Sequence, residues 1–372
     1  MRPAGRKYNM RRRAYGASVL FTVAVTSYWL GHISSLRTPP REVVAGDVPL
    51  NDTGLPPLAG VYETLEGVEL VFEVPASHKA ILLLFHGCKH SSTDWWPKSE
   101  KCTNCTGLPE EVRIIEAALA EGYIVVALSS QDRVHSRCWD TGWPPELSID
   151  IQKVTWAVQA LVKRQGWSGL PVYALGGSSG GALVMLLALR MQLQGVCCQI
   201  MAVPPDVVQT KPQDEAGNTW QYPPTALVYM AKDQHTAQGV GEMSKALAEQ
   251  GIPVLGMVVH PQPLTPAFFS SRTRVISAAL SSAIYATFLR AGLLDASGYL
   301  LEDPRLTSTQ WQPLLEQNVP VVKDMNLKVE ESAIHEELNL AWAEHELVSD
   351  NISSVLNFFH SSQPAKIQRA QK

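Results

Sequence analysis

Seven consecutive residues, Leu175-Gly176-Gly177-Ser178-Ser179-Gly180-Gly181, carry the clearest capacity for chemistry in this chain. They follow the apolar run Pro171-Val172-Tyr173-Ala174-Leu175 and precede another from Ala182 to Leu189. Strand, glycine-rich corner with a serine, then helix is the layout of a nucleophile elbow. A serine there must sit in a strained turn that lifts its Oγ clear of the sheet, and side chains beside it would collide with the neighbouring strand and helix. The helix N-terminus behind the turn offers backbone N–H groups and a positive dipole end to a developing oxyanion. The motif has two frames. Gly176-x-Ser178-x-Gly180 makes Ser178 the nucleophile, and Gly177-x-Ser179-x-Gly181 makes it Ser179. Ser178 is favoured because it follows the strand end directly. A phosphate-holding loop is the other use of such a turn, but no G-x-G-x-x-G or G-K-[ST] pattern accompanies it.

Around this corner, short apolar runs alternate with amphipathic segments from about Val61 onward. Strands are expected at 68–74, 80–85, 123–128, 171–175, 196–203, 226–230 and 253–259, and helices at 110–121, 149–165, 181–191 and 239–250. Near-continuous apolar strands separated by helices predict an α/β fold with a mostly parallel sheet covered on both faces. After Val259 the rhythm changes. Residues 261–330 hold a long helical pattern (Arg274 to Ala291) and the turn-like Glu302-Asp303-Pro304-Arg305, which fits an inserted helical lid. Ser332–Ala343 and Asp350–Phe359 read as closing helices, and 363–372 as a polar tail.

With strand, elbow and alternation in place, residues 60–362 resemble the α/β-hydrolase superfamily. The resemblance implies a catalytic order of serine, acid and histidine, each beyond a strand's C-terminal end. Ala226 to Met230 is a strand leading to Asp233, in the family's place for the triad carboxylate. Such an acid holds the imidazole in the right tautomer and stabilises its protonated form. For the histidine, His345 in Trp342-Ala343-Glu344-His345-Glu346-Leu347 resembles the family's loop–histidine–helix ending. His260, at the end of the strand Val254–Val259, is the alternative, although Pro261 makes it look like a lid hinge. His335, on an amphipathic pattern with Glu336 and Glu337, is expected to be solvated. The strand Ile81 to Phe85 ends in His86-Gly87-Cys88. The resemblance then implies an oxyanion hole from the backbone N–H groups of Cys88 and Ser179, with His86 a structural turn residue.

Within the superfamily, His86-Gly87-Cys88 together with Arg137-Cys138-Trp139 most resembles the polyhydroxybutyrate-depolymerase and feruloyl-esterase group. The chain is also similar to plant and algal α/β-hydrolases whose substrates are unassigned. In the first group the Cys after His-Gly pairs with a Cys of a Cys-Trp element, which implies a Cys88–Cys138 disulfide. Cys102 and Cys105 then bond each other or reshuffle with that pair. Zinc bound by the four cysteines is the alternative, but a single C-x-x-C argues for disulfides. Cys197-Cys198 fall in a strand and read as inert thiols.

At 372 residues and 45% hydrophobic content, the chain can bury one large core or two small ones. A net charge of −4 gives no reason to expect a nucleic-acid partner. Charge is uneven, however. Arg2, Arg6, Lys7, Arg11, Arg12 and Arg13 crowd the start, and no acidic residue precedes Glu42. After this basic segment (1–13), residues 14–34 are uncharged and mostly apolar, about the length that crosses a hydrocarbon core. Basic residues before the span predict a cytoplasmic N-terminus. No small-x-small cleavage site follows, so a transmembrane signal-anchor is expected, with residues 35–59 as a stalk. An organelle transit peptide is the rival. A lumenal or extracellular body would make the sequons at Asn51, Asn104 and Asn351 usable, although Asn104 stands between two cysteines.

These readings lead to a membrane-anchored serine hydrolase acting on a small-molecule ester through an acyl-enzyme, with no cofactor and no metal. Trp95, Trp96, Trp139 and Trp143 are either pocket-lining or ordinary packing. The contrasting expectation is a catalytically silent α/β-hydrolase fold that binds a partner or ligand.

Overall fold

The computed structural model describes residues 57–362. The expected span 14–34, the stalk up to residue 56, Asn51 and the tail 363–372 lie outside them. Among the described residues, no helix is long and apolar enough to cross a membrane.

Eight strands form one sheet: β1 (Val61–Leu65), β2 (Val68–Glu73), β3 (Ala80–Phe85), β4 (Tyr123–Leu128), β5 (Val172–Gly177), β6 (Gly195–Gln199), β7 (Thr225–Met230) and β8 (Val254–Val259). Their order across the sheet is β1-β2-β4-β3-β5-β6-β7-β8. β1 pairs antiparallel with β2, and β2 antiparallel with β4; every other pairing is parallel. This mostly parallel sheet fits the α/β-hydrolase fold implied by the resemblance. The helices are α1 (Pro109–Ala120), α2 (Ile149–Gln165), α3 (Ser179–Leu187), α4 (Pro205–Gln209), α5 (Gln234–Glu249), α6 (Phe268–Arg272), α7 (Ala278–Arg290), α8 (Ser308–Asn318), α9 (Ala333–Trp342) and α10 (Ile352–Ser361).

The apolar runs are continuous because both faces of the sheet are covered. In β3, Ala80, Leu82 and Leu84 join a core with α1 and α6 to α10, while Ile81, Leu83 and Phe85 join one with α2 to α5. Fully burying each of the leucine, isoleucine and phenylalanine side chains among these contributes roughly 1.5–3 kcal/mol. Three expectations need correcting. β1 was not foreseen, since Val61-Tyr62-Glu63-Thr64-Leu65 is only partly buried and its alternation is short. β6 stops at Gln199, because Ile200 takes a positive φ of 48° and Pro204-Pro205 turn the chain into α4. α5 begins at Gln234, five residues before the expected Gly239, because the Asp233 side chain caps it by accepting from the N–H of Thr236. Gly239 is tolerated within it because a Cβ there would come within 2.8 Å of Ala202 Cβ.

Residues 261–330 contain α6, α7 and α8, and their Phe269, Ile284, Phe288, Trp311 and Leu315 enter the core shared with α1, α9 and α10.

Candidate active site

β5 ends in a corner that only this glycine arrangement allows. Ser178 has φ 52° and ψ −120°, a strained conformation for a residue with a Cβ. Its N–H donates to the Gln199 carbonyl (3.0 Å), which ties the corner to β6. A Cβ on Gly176 would lie 2.2 Å from the Gly180 carbonyl oxygen, and one on Gly180 would lie 2.3 Å from that of Phe85. The flanking backbone leaves no room at either position. Gly177 and Gly181 are less tightly confined, with nearest approaches of 2.9 Å to a Leu347 methyl and 3.0 Å to Cys198 Sγ. Gly181 would also meet the Gln199 carbonyl oxygen, but at 3.0 Å, so the severe backbone clashes are at the two glycines of the Ser178 frame. Ser179 is instead the first residue of α3, and its Oγ lies 3.5 Å from the Trp139 nitrogen.

Asp233, His345 and Ser178 come together from distant parts of the chain. His345 Nδ1 is 2.9 Å from Asp233 Oδ2, and its Nε2 is 3.0 Å from Ser178 Oγ. With a carboxylate on Nδ1, that nitrogen carries the proton and Nε2 is the acceptor for the serine hydroxyl. Asp233 Oδ2 also accepts from the Thr236 hydroxyl (2.7 Å). Burial raises the Asp233 carboxyl, but the bonds from His345 and Thr236 outweigh it and hold it below its usual range. His260, at the far end of β8, is not part of this chain of bonds. It lines a separate cavity of about 410 Å³ with Lys232, Tyr299 and Trp342.

The turn after β3 faces the serine. His86 is buried; its Nδ1 donates to the Gly87 carbonyl (2.6 Å), and its Nε2 accepts from the Ser130 N–H (3.2 Å). Burial lowers its pKa to about 3, so it stays neutral and structural. Cys88 is disulfide-bonded to Cys138, and the adjacent Trp139 donates from its indole N–H to the His86 carbonyl (2.8 Å). Among the described residues, neither the Cys88 N–H nor the Ser179 N–H has a protein acceptor. As the first residue of a helix, Ser179 has no intrahelical acceptor for its N–H. Cys102 bonds Cys105, so all four of these cysteines are paired and none is left to hold zinc. Cys197 and Cys198 are free but buried, and burial raises both thiols, Cys198 to about 12.

The cavity beside Ser178 holds about 280 Å³, and its wall mixes charged side chains (Lys89, Glu111, Arg305, Glu330, Glu346) and His90 with apolar and backbone surface, including Ile200 and Leu347. None of the four tryptophans lines it: Trp95, Trp96 and Trp139 are packed in the core, and Trp143 is exposed. Their role is packing for the first three. His335 also departs from expectation, since it is fully buried, as are Glu336 and Glu337. α9 is enclosed on every side, so its polar pattern did not mark a solvent face. Burial lowers His335 to about 4, and its Nδ1 accepts from Asn339 (3.1 Å). Glu337 instead pairs with Arg272, which also meets Glu110 and Asp350. Of the sequons, Asn351 is buried and Asn104 is exposed within the Cys102–Cys105 loop.

Two supporting residues were not anticipated. The buried Gln199 side chain bonds both backbone groups of Val348 at 3.0 Å, which joins the elbow's neighbouring strand to the loop carrying His345. Its one sequence signal is a polar residue in an otherwise apolar strand. Asp132 accepts from the N–H groups of Val134, His135, Ser136 and Arg137, and so shapes the loop leading to Cys138. The His135 N–H and the Ser136 hydroxyl, with these further donors, draw its carboxyl far below the usual range.

No family model and no curated protein matches the chain. Solved structures similar to it include the Pyrococcus furiosus esterase Pf2001, at 12% identity over 59% of this chain and 90% of that one (TM-score 0.39). An acetyl xylan esterase from Aspergillus awamori matches at 14% identity over 50% and 81% (TM-score 0.38). TT1662 from Thermus thermophilus matches at 18% identity over 55% and 90% (TM-score 0.34). Likeness of this extent carries nothing about activity or substrate.

Proposed function

We propose that this protein is a serine hydrolase of the α/β-hydrolase type that cleaves carboxylic esters through an acyl-enzyme. One observation carries the reading: Asp233, His345 and Ser178 form a continuous hydrogen-bonded chain ending on a serine held at positive φ. Ser178 Oγ attacks the ester carbonyl while His345 Nε2 takes its proton. The tetrahedral oxyanion receives hydrogen bonds from the N–H groups of Cys88 and Ser179. On collapse, the C–O bond to the alcohol breaks and His345 returns the proton to the leaving oxygen. Water, deprotonated by His345, then attacks the acyl-serine; the bond from the acyl carbon to Ser178 Oγ breaks, His345 returns the proton to Oγ, and the acid is released. Asp233 keeps Nδ1 protonated throughout and stabilises the imidazolium. The cavity's volume of about 280 Å³ favours a small ester over a long aliphatic one, whose chain it has no room to enclose.

A fluorophosphonate probe tests this. The wild type is expected to be labelled, and to hydrolyse p-nitrophenyl acetate with a higher kcat/KM than the laurate ester. Ser178→Ala is expected to abolish both labelling and turnover. Labelling that survives in Ser178→Ala but disappears in Ser179→Ala would move the nucleophile, and an unlabelled wild type would mean a ligand-binding protein. The anchoring reading rests on residues 14–34 alone. It requires the full chain to stay in the membrane pellet through alkaline carbonate extraction, and release into the supernatant would rule it out.

A further inference from the structure

Segment 261–330 reaches the candidate site through two charged side chains. Arg305 stands in the turn after Pro304, where Asp303 Oδ1 accepts from its N–H (2.8 Å). Its guanidinium Nη2 donates to the backbone carbonyl of His345 and to Glu346 Oε2 (3.0 Å). Glu346 is itself fixed, its Oε2 accepting from Asn339 (2.9 Å) and its Oε1 from the Leu347 N–H (3.1 Å). Elsewhere in the cavity lining, the Glu330 carboxylate lies 3.3 Å from His90 Nε2, and Asp94 lies 3.3 Å from His90 Nδ1. The His90 N–H in turn donates to the Gly87 carbonyl (3.4 Å), in the turn that carries the Cys88 N–H.

These contacts have a shared consequence. His345 lies between α9 and α10 with no helix or strand to fix it, so its imidazole goes where neighbouring bonds hold the loop. One guanidinium nitrogen that bonds the histidine's own carbonyl and the next residue's carboxylate restrains both at once. Charge-assisted bonds of this kind are stronger than neutral ones. From this we infer that Arg305 is a positioning residue for the catalytic base, and that Arg305 and Glu330 let the 261–330 segment clasp the histidine loop and the oxyanion turn together. The inference rests on the hydrolase reading above. It makes the segment part of the catalytic apparatus, not merely a cover for the cavity.

Because Arg305 also lines the cavity, the test must separate positioning from substrate contact. In the full-length protein, steady-state turnover of p-nitrophenyl acetate and the rate of fluorophosphonate labelling are measured together. Misplacing a reacting group by an ångström costs about 10²-fold. Arg305→Met is therefore expected to lower kcat and the labelling rate by about 10- to 100-fold, with KM little changed. Arg305→Lys, which keeps the charge and a donor, is expected to recover most of the loss. Glu346→Gln weakens the same contact without removing the arginine, and is expected to lower kcat by a smaller factor. Leu306→Ala, at an exposed neighbour, should leave both rates unchanged. Wild-type kcat in Arg305→Met would overturn the inference, as would a loss confined to KM. If Arg305→Met fails to fold, wild-type kcat in Glu346→Gln overturns it instead. A wild type that is never labelled would remove the hydrolase reading itself, whereas a labelled wild type with an equally reactive Arg305→Met would remove only the positioning role.

Discussion

Ser178 shows how far single residues were legible. Its glycine neighbours announce a crowded corner, but the choice of frame depends on what a Cβ would strike. Gly176 and Gly180 face backbone oxygens at 2.2 and 2.3 Å, and backbone cannot move aside as a side chain end can. Asp233 was legible for a different reason, because an acid just beyond a buried strand is a local pattern. Its second role as the cap of α5 was not anticipated. Asp233→Asn keeps that cap, since Asn accepts equally well there, but removes the carboxylate that fixes the tautomer of His345. The variant is expected to lose about 10⁴-fold in kcat while its thermal midpoint stays near that of the wild type. Activity within a few-fold of wild type would remove Asp233 from the mechanism. His335, Glu336 and Glu337 illustrate the limit of residue-level reading, because their i, i+1, i+2 polar run looks solvated. Burial was permitted by partners elsewhere, including Arg272, 65 positions from Glu337.

Among the elements, the loop from Gln131 to Trp139 matters as much as any strand. Asp132 gathers its N–H groups, the Cys88–Cys138 disulfide ties it to the turn after β3, and Trp139 seals the join. The pairing of those two cysteines was implied by a resemblance; the support from Asp132 was not foreseen, since an isolated acid in a loop carries no periodic signal. Breaking this bridge frees a loop with a sequence separation of 50. The corresponding gain in unfolded-chain entropy is worth roughly 4 kcal/mol on the loop-closure model. Cys138→Ser is accordingly expected to lower the urea midpoint. It should also lower kcat, because the Cys88 N–H loses its covalent restraint, by up to about 10²-fold, the cost of losing one oxyanion donor. A variant with a lowered urea midpoint but undiminished kcat would show that the disulfide stabilises the fold without shaping the oxyanion hole.

For the whole molecule, burial of titratable groups makes stability depend on pH. Burial pulls His90 down, but Asp94 and Glu330 outweigh it and hold the imidazolium well above the usual histidine range. Burial pushes Glu111 up to about 7, and burial together with the neighbouring Glu111 carboxyl pushes Glu336 well above the usual carboxylate range. All three hold protons in the fold that the unfolded chain gives up at lower pH. Their contribution is therefore complete below the unfolded values and lost as pH rises through the folded ones. His86 and His335, lowered to about 3 and about 4, act in the opposite sense, but only below the ordinary histidine value of 6.5. Above 6.5 these two no longer act, whereas Glu337, pushed up to about 8 by burial, adds to the first group. The thermal midpoint is expected to fall between pH 6.5 and 8.5, and Glu111→Gln, which cannot ionise, should flatten that slope. A midpoint that is level or rising across this range would contradict the raised values of these buried groups. The sequence by itself determined the apolar strands, the elbow and the acid beyond β7, because strand burial, glycine's lack of a Cβ and turn chemistry are local properties. Only the tertiary structure decided which histidine meets the serine and which charges are buried. The bonds from His345 to Asp233 and Ser178 span 112 and 167 positions, and such contacts depend on how the elements pack rather than on any local pattern.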